Sequence, residues 1–295
     1  NLRLAGDFQP VAVAGLWFLL VGFAFKVAAV PFHMWAPDVY HGAPTPVAAL
    51  LMAGSEAAAF AAIIRLFAST SSQFASDWRV LFSVLAVATM TYGNAVALVQ
   101  TSARRMMAYS AIAQAGYVLA GLAVATAGGI AAMMYYLLAY VFMIAGTFAV
   151  IAWLSLTRPE EMLDDFQGLA GRLPWVAAAT VVFMISLIGI PPTAGFFGKF
   201  YLIKAAVEAR MVWLAVVLVL NSAISAGYYY GIVKRMYLAP ADAIGAPASG
   251  PMAIPGSMAV VVGVSAAAVL LLMLFPHSVL QWLGEAVASA RIAGP

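Results

Sequence analysis

Long apolar stretches, separated by short polar ones, make up most of this sequence. A helix needs about 20 apolar residues to cross the roughly 30 Å hydrocarbon layer of a bilayer, and several of the stretches approach or exceed that length. We name them crossings a to h. They are predicted over residues 11–30 (a), 32–67 (b), 81–99 (c), 106–125 (d), 130–156 (e), 175–207 (f), 211–238 (g) and 258–275 (h). The pattern predicts an all-α polytopic protein with about eight membrane crossings.

Two of the crossings contain helix-breaking residues. Pro44 and Pro46 stand near the start of crossing b, while Pro191 and Pro192 stand in the middle of crossing f, within the glycine-flanked run 189–195. Each proline removes a backbone donor and clashes with the preceding turn. Lipid cannot satisfy the carbonyls that are freed, so protein groups or water must do so. We predict broken helices at both places; the alternative is a pair of kinks that only shape packing.

Three other segments interrupt the apolar pattern. Residues 157–174 form an acidic loop, and residues 240–257 form a linker rich in proline, glycine and alanine. The polarity of residues 279–292 fits a frayed tail better than a short interfacial helix. The predicted organisation is therefore a transmembrane bundle over 1–239, the linker, and a last crossing with its tail over 258–295.

Composition narrows the class of protein. The chain is 65% hydrophobic and 8% charged, which fits an integral membrane protein. It contains no cysteine, which excludes thiolate-bound iron–sulfur clusters, disulfides and thiol catalysis in this sequence, and its three histidines form no paired ligand set. The net charge of +3 is scattered and predicts no nucleic-acid partner. Because the sequence begins with Asn1 and no signal peptide precedes crossing a, we expect it to be the later part of a longer chain.

Three ionisable residues lie within the apolar runs: Lys26 in crossing a, Glu56 in crossing b and Lys199 in crossing f. Each charge at the bilayer centre costs about 2.5–3.5 kcal/mol, or on the order of 8–10 kcal/mol together. Such residues are tolerated when they face a hydrated or paired interior. Ion sites in transporters often combine buried charges with discontinuous helices. The alternatives are lysines that extend to the headgroups, or one neutral buried pair.

Smaller polar residues could extend a proton path between these charges. On crossing d, Ser110, Gln114 and Tyr117 share one helical face, while Tyr109 begins another. For any single member, hydrogen bonding between helices is the competing interpretation. The other candidates of this kind are Ser55, Asn94, Tyr135, Tyr136, Asn221 and Ser222.

The junction of crossings a and b carries further polar side chains. His33 is a candidate relay because histidine titrates near neutral pH. Asp38 is expected to cap a helix start, where free N–H groups attract a carboxylate. The tyrosines at 228–230 are predicted to anchor the protein at a membrane interface.

Three motifs resemble a known family. The stretch 26–47, which reads KVAAVPFHMWAPDVYHGAPTPV, resembles the signature of the antiporter-like membrane subunits of respiratory complex I. Its Pro-Asp-Val-Tyr form resembles subunit N, the counterpart of mitochondrial NADH dehydrogenase subunit two. The stretches 105–117 and 189–201 are similar to the same subunit. Together these motifs extend over crossings a to f.

The resemblance implies a fold and site roles. The family has fourteen core helices with two inverted repeats, so crossings a to h would be its helices seven to fourteen. Lys26 would be the pump lysine, and Lys199 the lysine beside the break in helix twelve. Glu56 occupies a position where subunit N commonly carries lysine. An acid at about 7 Å would favour charged Lys26 by roughly 2.4 kcal/mol at an effective dielectric of about 20.

The function implied is proton translocation within an NADH:quinone oxidoreductase in the bacterial inner membrane. Under that implication this chain holds no cofactor, while FMN and iron–sulfur clusters reside in other subunits, and its partners are neighbouring antiporter-like and small membrane subunits. One alternative is a subunit of a multisubunit cation/proton antiporter or a membrane-bound hydrogenase. The other is a membrane scaffold that conducts no protons.

Overall fold

A computed structural model describes residues 9–68, 75–156, 158, 160–239 and 253–289. The described residues are almost entirely helical. The helices are α1 (Gln9–Lys26), α2 (Trp35–Gly42), α3 (Thr45–Leu50), α4 (Glu56–Ile63), α5 (Ala75–Ala97), α6 (Ala103–Val124), α7 (Ala127–Ser155), α8 (Leu169–Arg172), α9 (Pro174–Ile188), α10 (Ala194–Glu208), α11 (Val212–Leu238), α12 (Gly256–Leu274) and α13 (Pro276–Ser289). A π-helical turn, Leu51–Ser55, joins α3 to α4, and a second one, Ile64–Ala68, extends α4.

Six of the eight predicted crossings, b, c, d, e, g and h, are confirmed as membrane-length helices within the described residues. Six continuous spans are long and apolar enough to cross a bilayer, and two shorter apolar helices cover residues 14–26 and 174–188. Crossings c, d, e, g and h correspond to α5, α6, α7, α11 and α12 within a few residues. The break predicted in crossing f is confirmed, because α9 and α10 are separate helices.

The break predicted at Pro44 in crossing b is confirmed, because α2 ends at Gly42 and α3 begins at Thr45, and a further break that was not predicted precedes α2. Helix α1 ends at Lys26, and residues 27–34, including Pro31, form turns before α2 begins. Pro44 immediately precedes α3, and Pro46 lies in its first turn. Proline is well tolerated there, because the first N–H groups of a helix have no partner within it. These two prolines therefore lie at the boundary between α2 and α3 and begin the second of the two helices.

The prediction of a frayed C-terminal tail was wrong. Residues 276–289 form α13, with Leu283 and Val287 buried. Leu283 packs against Ala131 and Tyr135 of α7. Most of the predicted linker over 240–257 lies outside the described residues, and α12 already begins at Gly256.

Helix α7 is the centre of the bundle, since it packs against α3, α6, α9, α10, α12 and α13. Helices α5 and α6 pack very closely against each other. A Cβ atom added to Gly116 would lie 2.4 Å from the Met90 nitrogen, and one added to Gly93 would lie 2.5 Å from the Ala113 nitrogen. Only glycine allows this separation, so these residues fix the position of α6 against α5.

The acidic loop 157–174 is fastened to one end of the bundle, which we call the loop end. Buried Glu161 forms an ion pair with Arg104 at the start of α6, and it also accepts a hydrogen bond from Thr45 at 3.0 Å. The Arg235 guanidinium donates a hydrogen bond to Asp164 at 2.8 Å, which lowers the pKa of that carboxyl below its ordinary value. The loop thereby joins α3, α6 and α11.

Candidate functional site

Lys199 lies at the gap between α9 and α10. Helix α9 ends at Gly189, whose φ of +91° is left-handed and favours glycine. Helix α10 begins after Thr193, whose hydroxyl accepts a hydrogen bond from the Phe196 nitrogen. The side chain of Lys199 is buried, with 4% of its surface exposed, and points back into the gap.

Backbone carbonyls bind the Lys199 amine. Its Nζ donates to the Leu187 oxygen at 2.9 Å and the Ile188 oxygen at 3.1 Å, and it lies 4.2 Å from the centre of the Tyr117 ring. These carbonyls belong to the end of α9, where the helix dipole is negative. The described part of the chain contains no acid that forms an ion pair with Lys199. The carbonyls freed by the break are thus satisfied by the lysine.

A hydrogen-bonded group of side chains, which we call the Gln114 cluster, adjoins Lys199. Gln114 donates to the Tyr229 hydroxyl at 3.0 Å and accepts from the Tyr136 hydroxyl. Tyr229 is in turn hydrogen-bonded to Ser110. The amide of Gln114 also lies 3.5 Å from the Leu187 carbonyl that binds Lys199. The cluster connects α6, α7 and α11 inside the bundle.

A second polar group extends from Tyr117. Asn94 donates to the Tyr117 hydroxyl at 3.3 Å and to the Asn221 side chain at 3.1 Å, and it accepts from the Tyr228 hydroxyl at 2.9 Å. Because the Tyr117 ring also contacts the Lys199 amine, both polar groups meet at Lys199.

The two predicted faces of α6 have different roles. Ser110, Gln114 and Tyr117 face the polar interior and take part in its hydrogen bonds. The face that contains Gly116 packs closely against α5. Tyr109 is half-buried and belongs to neither polar group among the described residues.

Glu56 is buried at the start of α4, with 3% of its surface exposed. Its carboxylate accepts a hydrogen bond from the Tyr40 hydroxyl at 3.0 Å. The π-helical turn 51–55 directly precedes it, and such turns often occur at functional positions because they redirect a side chain.

Lys26 is the last residue of α1, beside the turns at 27–34, and its side chain is exposed in this chain. It is near enough to Glu56 for an electrostatic interaction. The interrupted backbone is satisfied by tertiary contacts. The Trp35 indole donates to the Phe25 carbonyl at 2.8 Å, and the Val30 nitrogen donates to Thr89 at 3.0 Å. Lys26 therefore adjoins a helix break at residues 27–34 that the sequence did not predict, in addition to the predicted break at Pro44.

His33 lies within the same turns and is buried, with its ring edge-on to Tyr92 at 4.4 Å between centroids. Its Nδ1 has no hydrogen-bond partner among the described residues. Asp38 does not cap α2, contrary to the prediction, because the residue preceding the helix is Met34 and no side chain caps it. The Asp38 carboxylate instead pairs with Arg105 at 3.3 Å on the exposed surface.

Residues 4–225 match the sequence profile of a family described as NADH:quinone oxidoreductase/Mrp antiporter, transmembrane region. The chain belongs to this family. It is an integral membrane protein with the helical architecture of the family's antiporter-like subunits.

Relatives within the family carry the subunit N name. The chain is 45% identical to NADH-quinone oxidoreductase subunit N 2 of Symbiobacterium thermophilum, over 95% of this chain and 55% of that protein. It is 43% identical to F(420)H(2) dehydrogenase subunit N of Methanosarcina mazei, over 91% of this chain and 56% of that protein. The chain thus spans a little over half the length of these relatives.

Solved structures of family members are similar in fold. A chain of respiratory complex I from Thermus thermophilus with bound aureothin superposes with a TM-score of 0.78 at 34% identity, covering 93% of this chain and 60% of that one. A chain of the Mrp complex from a Dietzia species gives a TM-score of 0.83 at 25% identity, covering 97% and 61%.

The polar interior of this antiporter-family chain also contains three tyrosines that the sequence analysis did not propose for it. Tyr40 binds Glu56, while Tyr228 and Tyr229 belong to the two polar groups. The prediction of interfacial anchoring was wrong for these last two, because both are buried in the middle of α11; only Tyr230 is exposed. Their spacing along a helix with Ser225 and Asn221, polar residues on the same face, was the available signal.

Tyr135 lies outside both polar groups, although the sequence analysis named it as a candidate for the proton path. Its hydroxyl donates to the Leu272 carbonyl of α12 at 2.8 Å. This hydrogen bond joins two helices and has no contact with Lys199, which corresponds to the packing alternative considered for the smaller polar residues.

Proposed function

We propose that this chain is the proton-translocating, antiporter-like part of a subunit N of an NADH:quinone oxidoreductase. The family membership and the subunit N names of its relatives support the type of complex. The observation that carries the translocating role is Lys199. Its buried amine is bound by two carbonyls at a helix break and adjoins two hydrogen-bonded polar groups.

In this proposal Lys199 takes up and releases a proton. The carbonyls of Leu187 and Ile188 and the Tyr117 ring stabilise its ammonium form, while burial favours the neutral amine. The two tendencies oppose each other, so a small displacement of α9 against α10 is enough to change which form is favoured.

Glu56 and Lys26 form the other end of the proposed path. Glu56 interacts electrostatically with Lys26 and accepts a hydrogen bond from the Tyr40 hydroxyl. Its carboxylate can therefore accept a proton and pass it inward. His33 lies beside Lys26 in the turns between α1 and α2 and is a secondary relay candidate. Ser110, Gln114 and Tyr117 supply hydrogen bonds near Lys199.

The redox chemistry belongs to other subunits in this proposal. This chain supplies no cofactor site, FMN and iron–sulfur clusters are carried elsewhere in the complex, and quinone is the electron acceptor. Its partners are the neighbouring antiporter-like and small membrane subunits, and its location is the bacterial inner membrane.

The electron donor has a second candidate. The Methanosarcina mazei relative, at 43% identity, is named as a subunit of an F(420)H(2) dehydrogenase. A proton-translocating subunit of this kind can thus serve complexes with different electron donors, and the donor is identified by the subunits that co-purify with the chain. The Mrp antiporter remains a further alternative on fold similarity, at 25% identity.

The test replaces Lys199 with methionine in the intact complex, reconstituted in sealed vesicles. Lys204→Met is the matched control, because Lys204 lies on the same helix but is exposed and pairs with Glu208 at 3.7 Å. NADH-driven proton pumping and NADH:quinone turnover are measured together. We expect Lys199→Met to lower pumping severalfold and Lys204→Met to leave it at the parent level.

Equal pumping by the two variants, with equal amounts of assembled complex, would show that Lys199 does not carry protons. The scaffold alternative would then account for the chain better than translocation does.

A further inference from the structure

Tyr140 of α7 has a buried hydroxyl that takes part in none of the hydrogen bonds described above. Its side chain is 2% exposed, and the hydroxyl has no hydrogen-bond partner among the described residues. Buried polar groups are nearly always paired, so an exception calls for a specific explanation. Tyr140 was not among the residues that the sequence suggested.

The position of Tyr140 is between the two parts of the proposed path. It lies one helical turn after Tyr136, whose hydroxyl donates to Gln114. Helix α7, which carries Tyr140, also packs against the π-helical turn 51–55 that leads into Glu56. Tyr140 is near enough to Glu56 and Tyr40, and also to Tyr136 and Tyr229, for electrostatic interaction with each of them.

The two parts share no direct hydrogen bond within the described residues. Glu56 is bonded to Tyr40, whereas Tyr136 and Tyr229 are bonded to Gln114. Tyr140 is the buried hydroxyl that is close to both.

We propose that the Tyr140 hydroxyl transfers protons between Glu56 and the Gln114 cluster, with water as the bridging co-reactant. This inference rests on the proposed function. A proton leaves the protonated Glu56 carboxyl for a water oxygen, and that water passes a proton to the Tyr140 oxygen as Tyr140 releases its own towards Tyr229. Tyr229 in turn gives its own proton to a second water, and that water gives one to the neutral amine of Lys199, so that an O–H bond of this water breaks as the new N–H bond forms and no proton passes through the Gln114 amide.

The transfer is balanced at each group. The O–H bond that breaks on Glu56 is balanced by the N–H bond that forms on Lys199, each oxygen between them loses one proton and gains one, Tyr140 is neutral before and after, and no electron is transferred. Tyr140 returns to its initial state when its hydroxyl rotates about the C–O bond. The reverse direction uses the same steps, so the proposal does not depend on the direction of pumping.

A purely structural role predicts the opposite response to substitution. If Tyr140 only fills space, phenylalanine preserves the ring and removes an unpaired hydroxyl, which leaves the protein as stable or more stable. If Tyr140 transfers protons, phenylalanine preserves packing but stops the transfer. The Tyr140→Phe variant therefore separates the two roles without creating a cavity.

The experiment compares Tyr140→Phe with Tyr135→Phe in the intact complex in sealed vesicles. Tyr135 is equally buried on the same helix, but its hydroxyl bonds to the Leu272 carbonyl. The readouts are protons pumped per NADH oxidised and the amount of assembled complex. We expect Tyr140→Phe to assemble normally and lose pumping severalfold, while Tyr135→Phe pumps at the parent level.

Lys199→Met is measured alongside to separate this inference from the proposed function. Parent-level pumping by Tyr140→Phe together with loss in Lys199→Met would overturn the role of Tyr140 alone. Parent-level pumping by both would overturn the proposed function as well. Equal loss in Tyr140→Phe and Tyr135→Phe would assign the effect to a general need for buried hydroxyls on α7 and would also overturn the inference.

Discussion

Glu56 differs from the other two proposed relay residues in the sign of its charge. It is buried, its carboxylate accepts a hydrogen bond from Tyr40, and it interacts electrostatically with Lys26. The resemblance to subunit N implies lysine at this position, and relative to that the acid retains a titratable group but inverts the charge. The relay can tolerate this change if the position needs only to exchange a proton.

Substitution at Glu56 tests that requirement. Glutamine has a similar shape but no titratable proton, so Glu56→Gln is expected to lower proton pumping severalfold, whereas Glu56→Lys is expected to preserve most of it. Glu208→Gln, at an exposed position on α10, is the control. Pumping per NADH oxidised in vesicles is the measurement. If Glu56→Gln and Glu56→Lys both pump like the parent, protons bypass this residue.

Among the helices and their connections, Arg104 is the residue that holds the segments of the loop end together. Besides its ion pair with Glu161, its guanidinium donates to the carbonyls of His41 and Ala43 at 2.8 and 2.7 Å and to Thr45 at 2.8 Å. The end of α2, the start of α3, the start of α6 and the acidic loop are all attached to this one side chain.

Removing the charge of Glu161 should therefore destabilise the loop end. Glu161→Gln leaves the largely buried Arg104 without its counter-ion, at a cost of about 3–5 kcal/mol. The adjacent Glu160 is exposed, and Glu160→Gln should change stability by no more than about 0.5 kcal/mol. Thermal unfolding of the detergent-solubilised complex gives both values. Identical unfolding of the two variants would mean that Glu161 is not needed to hold the loop.

The sequence predicted the helix breaks at Pro44 and in the run 189–195, and it missed the break at residues 27–34 for a physical reason. The run 189–195 has two prolines flanked by glycines, so a continuous helix cannot pass through it. Residues 27–34 are as apolar as a helix, and part of their irregular backbone depends on a distant partner, since the Val30 nitrogen donates to Thr89. Hydropathy does not distinguish such a segment from a helix, and it does not tell whether a proline begins a helix or interrupts one.

The candidate site was predicted in part. Lys199 and Glu56 were found because a lone charge in an apolar run is costly, and both are buried in the structure. Tyr40 and Tyr140 were missed because tyrosine is common in membrane helices for packing. Only the positions of α2 and α7 beside Glu56 reveal their proximity to it.

For the molecule as a whole, the helix order fixes which surfaces lie on the same side of the membrane. Helices α9 and α10 run in succession from the loop end to the opposite end, where α10 finishes at Glu208. Helix α11 then returns, and its Arg235 reaches Asp164 of the acidic loop. Residues 160 and 208 are thus expected on opposite sides of the bilayer.

Cysteine labelling can check this arrangement, because the sequence contains no cysteine of its own. Glu160→Cys and Glu208→Cys are introduced separately, both at exposed positions. A membrane-impermeant maleimide added to sealed vesicles should label this subunit in only one of the two variants, and inverting the vesicles should exchange the result. Labelling of both variants from the same side would contradict the helix order.

The binding of Lys199 by main-chain carbonyls has a consequence for how relatives vary. An ion pair between two side chains leaves a record of compensating substitutions, because a change in one partner selects for a change in the other. Leu187 and Ile188 bind the lysine through atoms that every amino acid possesses. This contact therefore places no requirement on their side chains, which are constrained only by packing in the core, and covariation between columns of an alignment would carry no trace of it. The geometry is inherited instead through the left-handed turn at Gly189 that exposes those carbonyls.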